Sequence, residues 1–182
     1  EGDLAVPDAL HRLRTLPYEN LGFASLDHHR ALRQGFPEVI FCEGKTVSQV
    51  VAIARTLLQK NDALLATRVE PAVARALLRV SKRAIYYEDA RVVAIVPPKL
   101  VRRGSVLIVT AGTADIPVAE EARVTADIMG SKTDTLYDVG VAGLHRLLGQ
   151  QERLHDARTI IVVAGMDGVL PSVVGGLVRQ PV

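Results

Sequence analysis

Tryptophan is absent from this 182-residue sequence, and four Tyr with three Phe are its remaining aromatics. No platform for stacking nucleic-acid bases is evident in so sparse a set. Cys42 is the single cysteine, which excludes an intramolecular disulfide and a Cys-rich metal site and fits a reducing, cytoplasmic setting. No apolar run approaches the roughly twenty residues that cross a bilayer, so no membrane partner is expected. The acidic start Glu1-Gly2-Asp3 is unlike a signal peptide. An excess of one charge is missing too: 22 Lys and Arg stand against 20 Asp and Glu, a net of +2. Without a long basic run, that balance gives little support to a nucleic-acid partner. The sequence also lacks a leading Met, so an engineered start or a segment before Glu1 is expected.

What is present is an ordinary soluble composition, 48% hydrophobic and 23% charged, long enough for one ordinary domain and a small one. The most informative stretch begins with Val106-Leu107-Ile108-Val109, a continuous apolar run rich in β-branched residues, as in a strand buried on both faces of a parallel sheet. Thr110-Ala111-Gly112-Thr113-Ala114-Asp115 follows as a small, polar turn, and Pro117 suits the first turn of a helix. Such a strand-loop-helix unit presents backbone N–H groups at the carboxyl edge of a sheet, where α/β proteins bind phosphates and carboxylates.

In chain order, residues 8–16 read as a short amphipathic helix opened by Pro7, with Leu10, Leu13 and Leu16 on one face. A short strand is expected over 21–26, then the polar cluster Asp27-His28-His29-Arg30-Ala31-Leu32-Arg33, then a strand over 38–42. Thr46 is a natural N-cap for a helix over 47–60, and Gln49 completes a capping box. A strand over 63–67, a helix over 71–80 and strands over 85–87 and 91–96 finish a small β-α-β-α-β unit. Pro97-Pro98-Lys99-Leu100-Val101-Arg102-Arg103-Gly104 reads as a linker, because two prolines resist helix and sheet and three cations favour solvent. Domains are accordingly expected over 1–98 and 99–182.

Beyond the linker the alternation is regular: a helix over 117–129 stopped by Gly130, a strand over 133–139, helices over 142–148 and 151–157, and a second buried strand, Thr159-Ile160-Ile161-Val162-Val163. Another glycine-bearing loop, Ala164-Gly165-Met166-Asp167-Gly168, leads into a helix over 170–177. An alternating fold would start its next strand near Gln180-Pro181-Val182. The protein is therefore expected to continue past Val182, since an end there leaves a sheet edge open.

Asp115 and Asp167 each follow a buried strand, and each is read either as the cap of a βα turn or as part of a site. Asp138-Val139-Gly140-Val141-Ala142-Gly143-Leu144-His145-Arg146 is a third loop-to-helix junction near the same edge. His145 by itself, a lone His on a helix, is of a kind that is usually structural. Adjacent His28 and His29 on an extended chain point to opposite sides, which disfavours a shared metal. Gly44-Lys45-Thr46 matches the end of a P-loop, but Ile40 occupies the place of the required upstream glycine. Cys42 beside Phe41 reads as a small buried hydrophobe rather than a nucleophile.

Taken together, Val109 to Ala122 (Val-Thr-Ala-Gly-Thr-Ala-Asp-Ile-Pro-Val-Ala-Glu-Glu-Ala) and Leu136 to Arg146 (Leu-Tyr-Asp-Val-Gly-Val-Ala-Gly-Leu-His-Arg) resemble the LarB family, the carboxylase/hydrolase of nickel-pincer nucleotide cofactor biosynthesis. The resemblance extends through 27–41, Gly44-Lys45-Thr46 and Leu170-Pro171-Ser172-Val173-Val174-Gly175-Gly176-Leu177, nearly the whole chain. It implies a three-layer, parallel-sheet, PurE-like (flavodoxin-like) domain after a small α/β domain, assembled as a homo-octamer. It implies carboxylation of the pyridinium ring of nicotinic acid adenine dinucleotide by carbon dioxide and cleavage of its phosphoanhydride, giving pyridinium-3,5-biscarboxylic acid mononucleotide and AMP. The family's cysteine thiolate adds to the ring and makes it electron-rich enough to attack carbon dioxide; its place lies beyond Val182, and Cys42 does not match it.

By the same resemblance, Thr110, Ala111, Gly112 and Thr113, with Gly165 and Met166, cradle phosphate or the nascent carboxylate, and His145 and Arg146 bind phosphate. Asp115, Asp138 and Asp167 are candidates for holding Mg²⁺ on the pyrophosphate or for proton transfer, Asp138 and Asp167 being those expected at the metal. His28, Arg30, Arg33 and Lys45 contact the adenylate half. The purine-pathway aminoimidazole ribonucleotide carboxylases place a His before the Leu-Pro that matches Leu170-Pro171; Val169 stands there, which disfavours that reaction. A non-catalytic nucleotide-binding regulatory module is the remaining alternative.

Overall fold

The computed structural model describes residues 18–182, so the helix expected over 8–16 lies outside the described residues. The chain divides into two compact units, one running to Tyr86 and taking in Val93–Pro98, the other comprising Tyr87–Val92 and Lys99–Val182.

In the first unit, β1 (Glu19–Asn20) and β2 (Ser25–Leu26) pair antiparallel. A single strand was expected over 21–26, but Gly22 adopts φ +85° and its N–H is taken by the Asn20 side chain at 2.7 Å, which turns the chain back. Helix α1 (Arg30–Gln34) follows and ends at left-handed Gly35. The strand expected over 38–42 is only Ile40–Phe41, β3. Helix α2 (Val47–Leu58) starts at the expected capping box, with Gln49 N–H on the Thr46 hydroxyl at 3.3 Å and Thr46 N–H on the Gln49 side chain at 2.9 Å. Strand β4 (Leu64–Thr67), α3 (Pro71–Val80), β5 (Ile85–Tyr87) and β6 (Val92–Ile95) complete a sheet of order β3-β4-β6-β5. It is mixed, because β4 runs parallel to β3 and antiparallel to β6. Val50, Ile53 and Leu57 of α2 and Val73 and Leu77 of α3 bury against Leu64, Val93 and Ile95. Each such side chain contributes about 1.5–3 kcal/mol of burial.

The second unit is built on β7 (Arg103–Thr110), three residues longer at its start than the sequence pattern suggested. Arg103 and Gly104 therefore belong to the strand rather than to a solvated linker, and Arg102 is paired with Asp127 at 2.5 Å. Helix α4 (Ile116–Ile128), β8 (Ser131–Leu136), α5 (Leu144–Leu148), α6 (Gln151–Asp156), β9 (Thr159–Val163) and α7 (Leu170–Leu177) follow. The sheet order is β8-β7-β9, all parallel, with Val109 opposite both Leu136 and Val162. Leu107, Val109, Leu147, Leu154, Ile160, Leu170 and Val174 form its core. The protein is thus α/β, with one mixed and one parallel sheet. No described helix is long and apolar enough to cross a membrane.

Candidate functional site

With β7 between β8 and β9, the chain leaves the carboxyl end of β7 toward one neighbour and later returns to the other. That reversal of direction is where open α/β sheets hold ligands. Three loops leave this edge together: 111–115, 137–143 and 164–169.

Thr110 staples them. It is fully buried; its hydroxyl accepts the Asp138 N–H and its carbonyl the Val139 N–H, both at 3.0 Å. The next N–H, from Ala111, goes to the Val163 carbonyl at 3.1 Å. These bonds correct the expectation that Thr110 and Ala111 offer donors to a ligand: both are spent joining β7 to its neighbours.

Asp115 was read as a helix cap or a site residue. Its side chain makes no cap to α4. Instead one carboxylate oxygen accepts the Gly112 N–H at 2.9 Å and the other accepts the Gly165 N–H of the β9 loop at 3.1 Å. Two amides expected to cradle a substrate anion therefore hold the protein's own carboxylate. Thr113 remains exposed at the rim. Beyond Gly165, Met166 is fully exposed in the left-handed region at φ 40°, and Asp167 is exposed beside left-handed Gly168.

On the middle loop Asp138 sits at φ 58° and accepts Arg146 Nη1 at 2.7 Å, both side chains half-exposed. Gly140 is required here: a Cβ at this position would stand 2.7 Å from the Ala111 carbonyl oxygen. His145 is exposed on α5 next to Arg146. Magnesium needs one or two free carboxylates beside substrate phosphates. Asp138 is already neutralised by Arg146, and no group of three or more His, Cys, Asp or Glu placed to hold a metal occurs among the described residues. Asp138 and Asp167 do not make a Mg²⁺ site by themselves.

A cluster the motif reading did not assign lies at the end of β8. The Glu120 carboxylate accepts Arg123 Nε at 2.8 Å and Arg123 Nη2 at 2.7 Å, and the Tyr137 hydroxyl donates to Oε1, the oxygen that also accepts Nε. The Arg123 hydrogen bond holds Glu120 below the usual carboxylate range against its burial. Burial and the Glu120 contact push Tyr137 up to about 12. The i, i+3 spacing of Glu120 and Arg123 was readable as a helix pair, but nothing local announces Tyr137, 17 residues away.

In the first unit, the residues expected at the adenylate are each engaged locally. The buried His28 ring bonds Glu19 at 3.0 Å, Arg33 bonds Asp27 at 2.5 Å, Arg30 reaches Gln34 at 2.9 Å, and Lys45 bonds the Phe41 carbonyl at 2.7 Å. Lys45 also borders a cleft of about 240 Å³ with Glu38 and the half-exposed Phe41. Cys42 is buried, and desolvation pushes its thiol up to about 11. That is the opposite of what activates a thiolate.

Comparison with known proteins gives two matches. The sequence profile of the LarB/PurE-like N-terminal domain matches residues 18–97. An uncharacterized protein of Methanocaldococcus jannaschii is 36% identical over 192 residues, spanning all of this chain and 75% of that one.

Proposed function

Because the chain belongs to the LarB family, we propose that it performs the carboxylation and hydrolysis of nicotinic acid adenine dinucleotide, in cytoplasm and as a homo-octamer of PurE-like three-layer sheets. The family points to an enzyme of PurE-related carboxylase type; the dinucleotide and the second, hydrolytic step are the finer part of the reading. The observation that supports it most is the joining of the β7 and β9 loops by Asp115, together with an Arg146 guanidinium held by Asp138 of the middle loop.

In this reading the dinucleotide lies across the carboxyl edge of the second unit. Arg146, fixed by Asp138, pairs with a phosphate oxygen, and exposed His145 and Thr113 supply neighbouring donors. The family's cysteine thiolate, which Cys42 does not match, adds to the pyridinium ring. The electron-rich ring carbon then attacks carbon dioxide, a proton leaves that carbon, and expulsion of the thiolate restores the aromatic pyridinium. Asp167 is the proton acceptor, being exposed at the rim with no partner among the described residues. Water then cleaves the phosphoanhydride and AMP departs. Cys42 takes no part, buried as it is.

The test is incubation of the full-length natural protein with the dinucleotide, bicarbonate and Mg²⁺, with mass spectrometry for AMP and the biscarboxylated mononucleotide. Both products are expected, and both should vanish when the family's nucleophilic cysteine is replaced. Binding without turnover overturns the enzyme reading in favour of a regulatory module. Turnover of aminoimidazole ribonucleotide instead would assign the purine-pathway reaction despite Val169.

A further inference from the structure

Glu120, Arg123 and Tyr137 are drawn together from two elements of the second unit, yet the proposed reaction uses none of them. Their arrangement is over-determined. Arg123 grips Glu120 through Nε and Nη2, at 2.7 to 3.0 Å, while the Tyr137 hydroxyl donates to the same carboxylate. A carboxylate accepting a two-pronged guanidinium and a phenol is a stiff anchor. Its side chains are largely sheltered, Glu120 exposing 17% and Arg123 29%, so solvent competes weakly for these bonds.

What the anchor holds is the start of the middle loop. Tyr137 directly precedes Asp138, whose backbone stands at φ 58°. A non-glycine residue in that region is strained by roughly 1–3 kcal/mol and persists only where its surroundings impose it. Here the restraints are identifiable. On one side the Tyr137 ring is tied to α4; on the other the Asp138 and Val139 N–H groups are tied to buried Thr110. Two residues further on, Gly140 lies against the Ala111 carbonyl. The strained Asp138 in turn carries Arg146.

We propose that Tyr137, clamped by Glu120 and Arg123, is a positioning residue that fixes the strained Asp138 turn and through it aims the Arg146 guanidinium at the substrate's phosphate. The assignment of that anion rests on the function proposed above; the aiming of Arg146 does not. Tyr137 acts at one remove, through Asp138, and touches no substrate atom.

The first readout uses the ligand-free full-length protein, so that it is independent of the substrate. In the wild type, the resonance of the Arg146 Nη1–H that bonds Asp138 should be resolved from the pooled arginine signal. In Tyr137→Phe it should collapse into that pool while the melting temperature shifts little. An Arg146 resonance unmoved by Tyr137→Phe overturns the proposal. Should Tyr137→Phe fold poorly, Glu120→Gln, which keeps the shape and an acceptor oxygen but loses the ion pair with Arg123, is expected to broaden the same resonance, and an unmoved one counts equally against it.

The second readout is calorimetric binding of nicotinic acid adenine dinucleotide. Tyr137→Phe should weaken it roughly tenfold, the range of one charge-assisted hydrogen bond. In an Arg146→Ala background the same change should add nothing, since both act through one guanidinium. Additive losses, as a merely structural Tyr137 would give, overturn the proposal. A wild type that ignores the dinucleotide while its Arg146 resonance still answers to Tyr137→Phe would sink the substrate reading and uphold the positioning role.

Discussion

Asp115 and Gly165 stand 50 positions apart and are joined by a 3.1 Å hydrogen bond from the Gly165 N–H to a carboxylate oxygen, whose partner oxygen holds Gly112 at 2.9 Å. The site's first and third loops are thus registered to each other by one short side chain, and the backbone on each side of it is shaped by a carboxylate before any substrate arrives.

Asp115→Ala removes both acceptors. Two amide donors then turn to solvent, which at a half-exposed site should cost about 1–2 kcal/mol. The larger effect falls on turnover, roughly 100-fold, because a loop displaced by an ångström misplaces everything it carries. Urea unfolding and initial rates on the same preparation check the two figures; a variant with wild-type turnover would show that the loops do not need this tie.

Gly140→Ala places a methyl 2.7 Å from the Ala111 carbonyl oxygen. That oxygen belongs to the backbone just past the central strand and cannot rotate away. A loss of roughly 1–3 kcal/mol is expected, visible as a lower melting temperature. Gly175→Ala, where an added Cβ meets nothing within 4 Å, is the control and should be far milder.

The clamp on Tyr137 sets two opposite pH dependences. Glu120 is depressed chiefly by the Arg123 hydrogen bond, so its contribution is present above the unfolded carboxyl pKa and is lost as pH falls through the lower, folded value. Tyr137 is raised to about 12, chiefly by burial, so its contribution is full below the ordinary phenol pKa near 10 and drains away as pH climbs from there toward 12. Ultraviolet titration should show one of the four tyrosines ionising after the others, and Tyr137→Phe should delete that step. Acid denaturation midpoints of Glu120→Gln against wild type check the other limb.

Cys42, with its thiol raised to about 11 by desolvation, should resist iodoacetamide at pH 8 in the folded protein and react at once in denaturant. Cys42→Ala should leave turnover unchanged. Rapid native alkylation with loss of activity would reverse the assignment of the thiol as a buried hydrophobe.

What the sequence makes legible follows the range of the interactions. The capping box at Thr46 and Gln49 and the buried runs of β7 and β9 depend on residues within one turn or one strand, and they stand where the pattern put them. The β1–β2 hairpin does not, because strands of two residues carry no periodicity and the turn hinges on a positive φ at Gly22. Charge misled at Arg102 and Arg103: three cations suggested solvent, yet one pairs with Asp127 and the other enters β7. At the site, the loops were readable from buried strands ending in small residues. Their inner economy was not, since Thr110 meets Asp138 across 28 positions and Glu120 meets Tyr137 across 17.

This chain carries two methionines, Met129 and Met166, and both face solvent, Met166 without reserve. Methyl-labelled methionine therefore yields a spectrum of two lines for these positions, one of them on the residue next to Gly165, where the Asp115 carboxylate is attached. The strained, outward turn of the third loop supplies a native reporter. Its line position follows whether that loop is latched or released, in a sample that needs neither a foreign tag nor a functional assay.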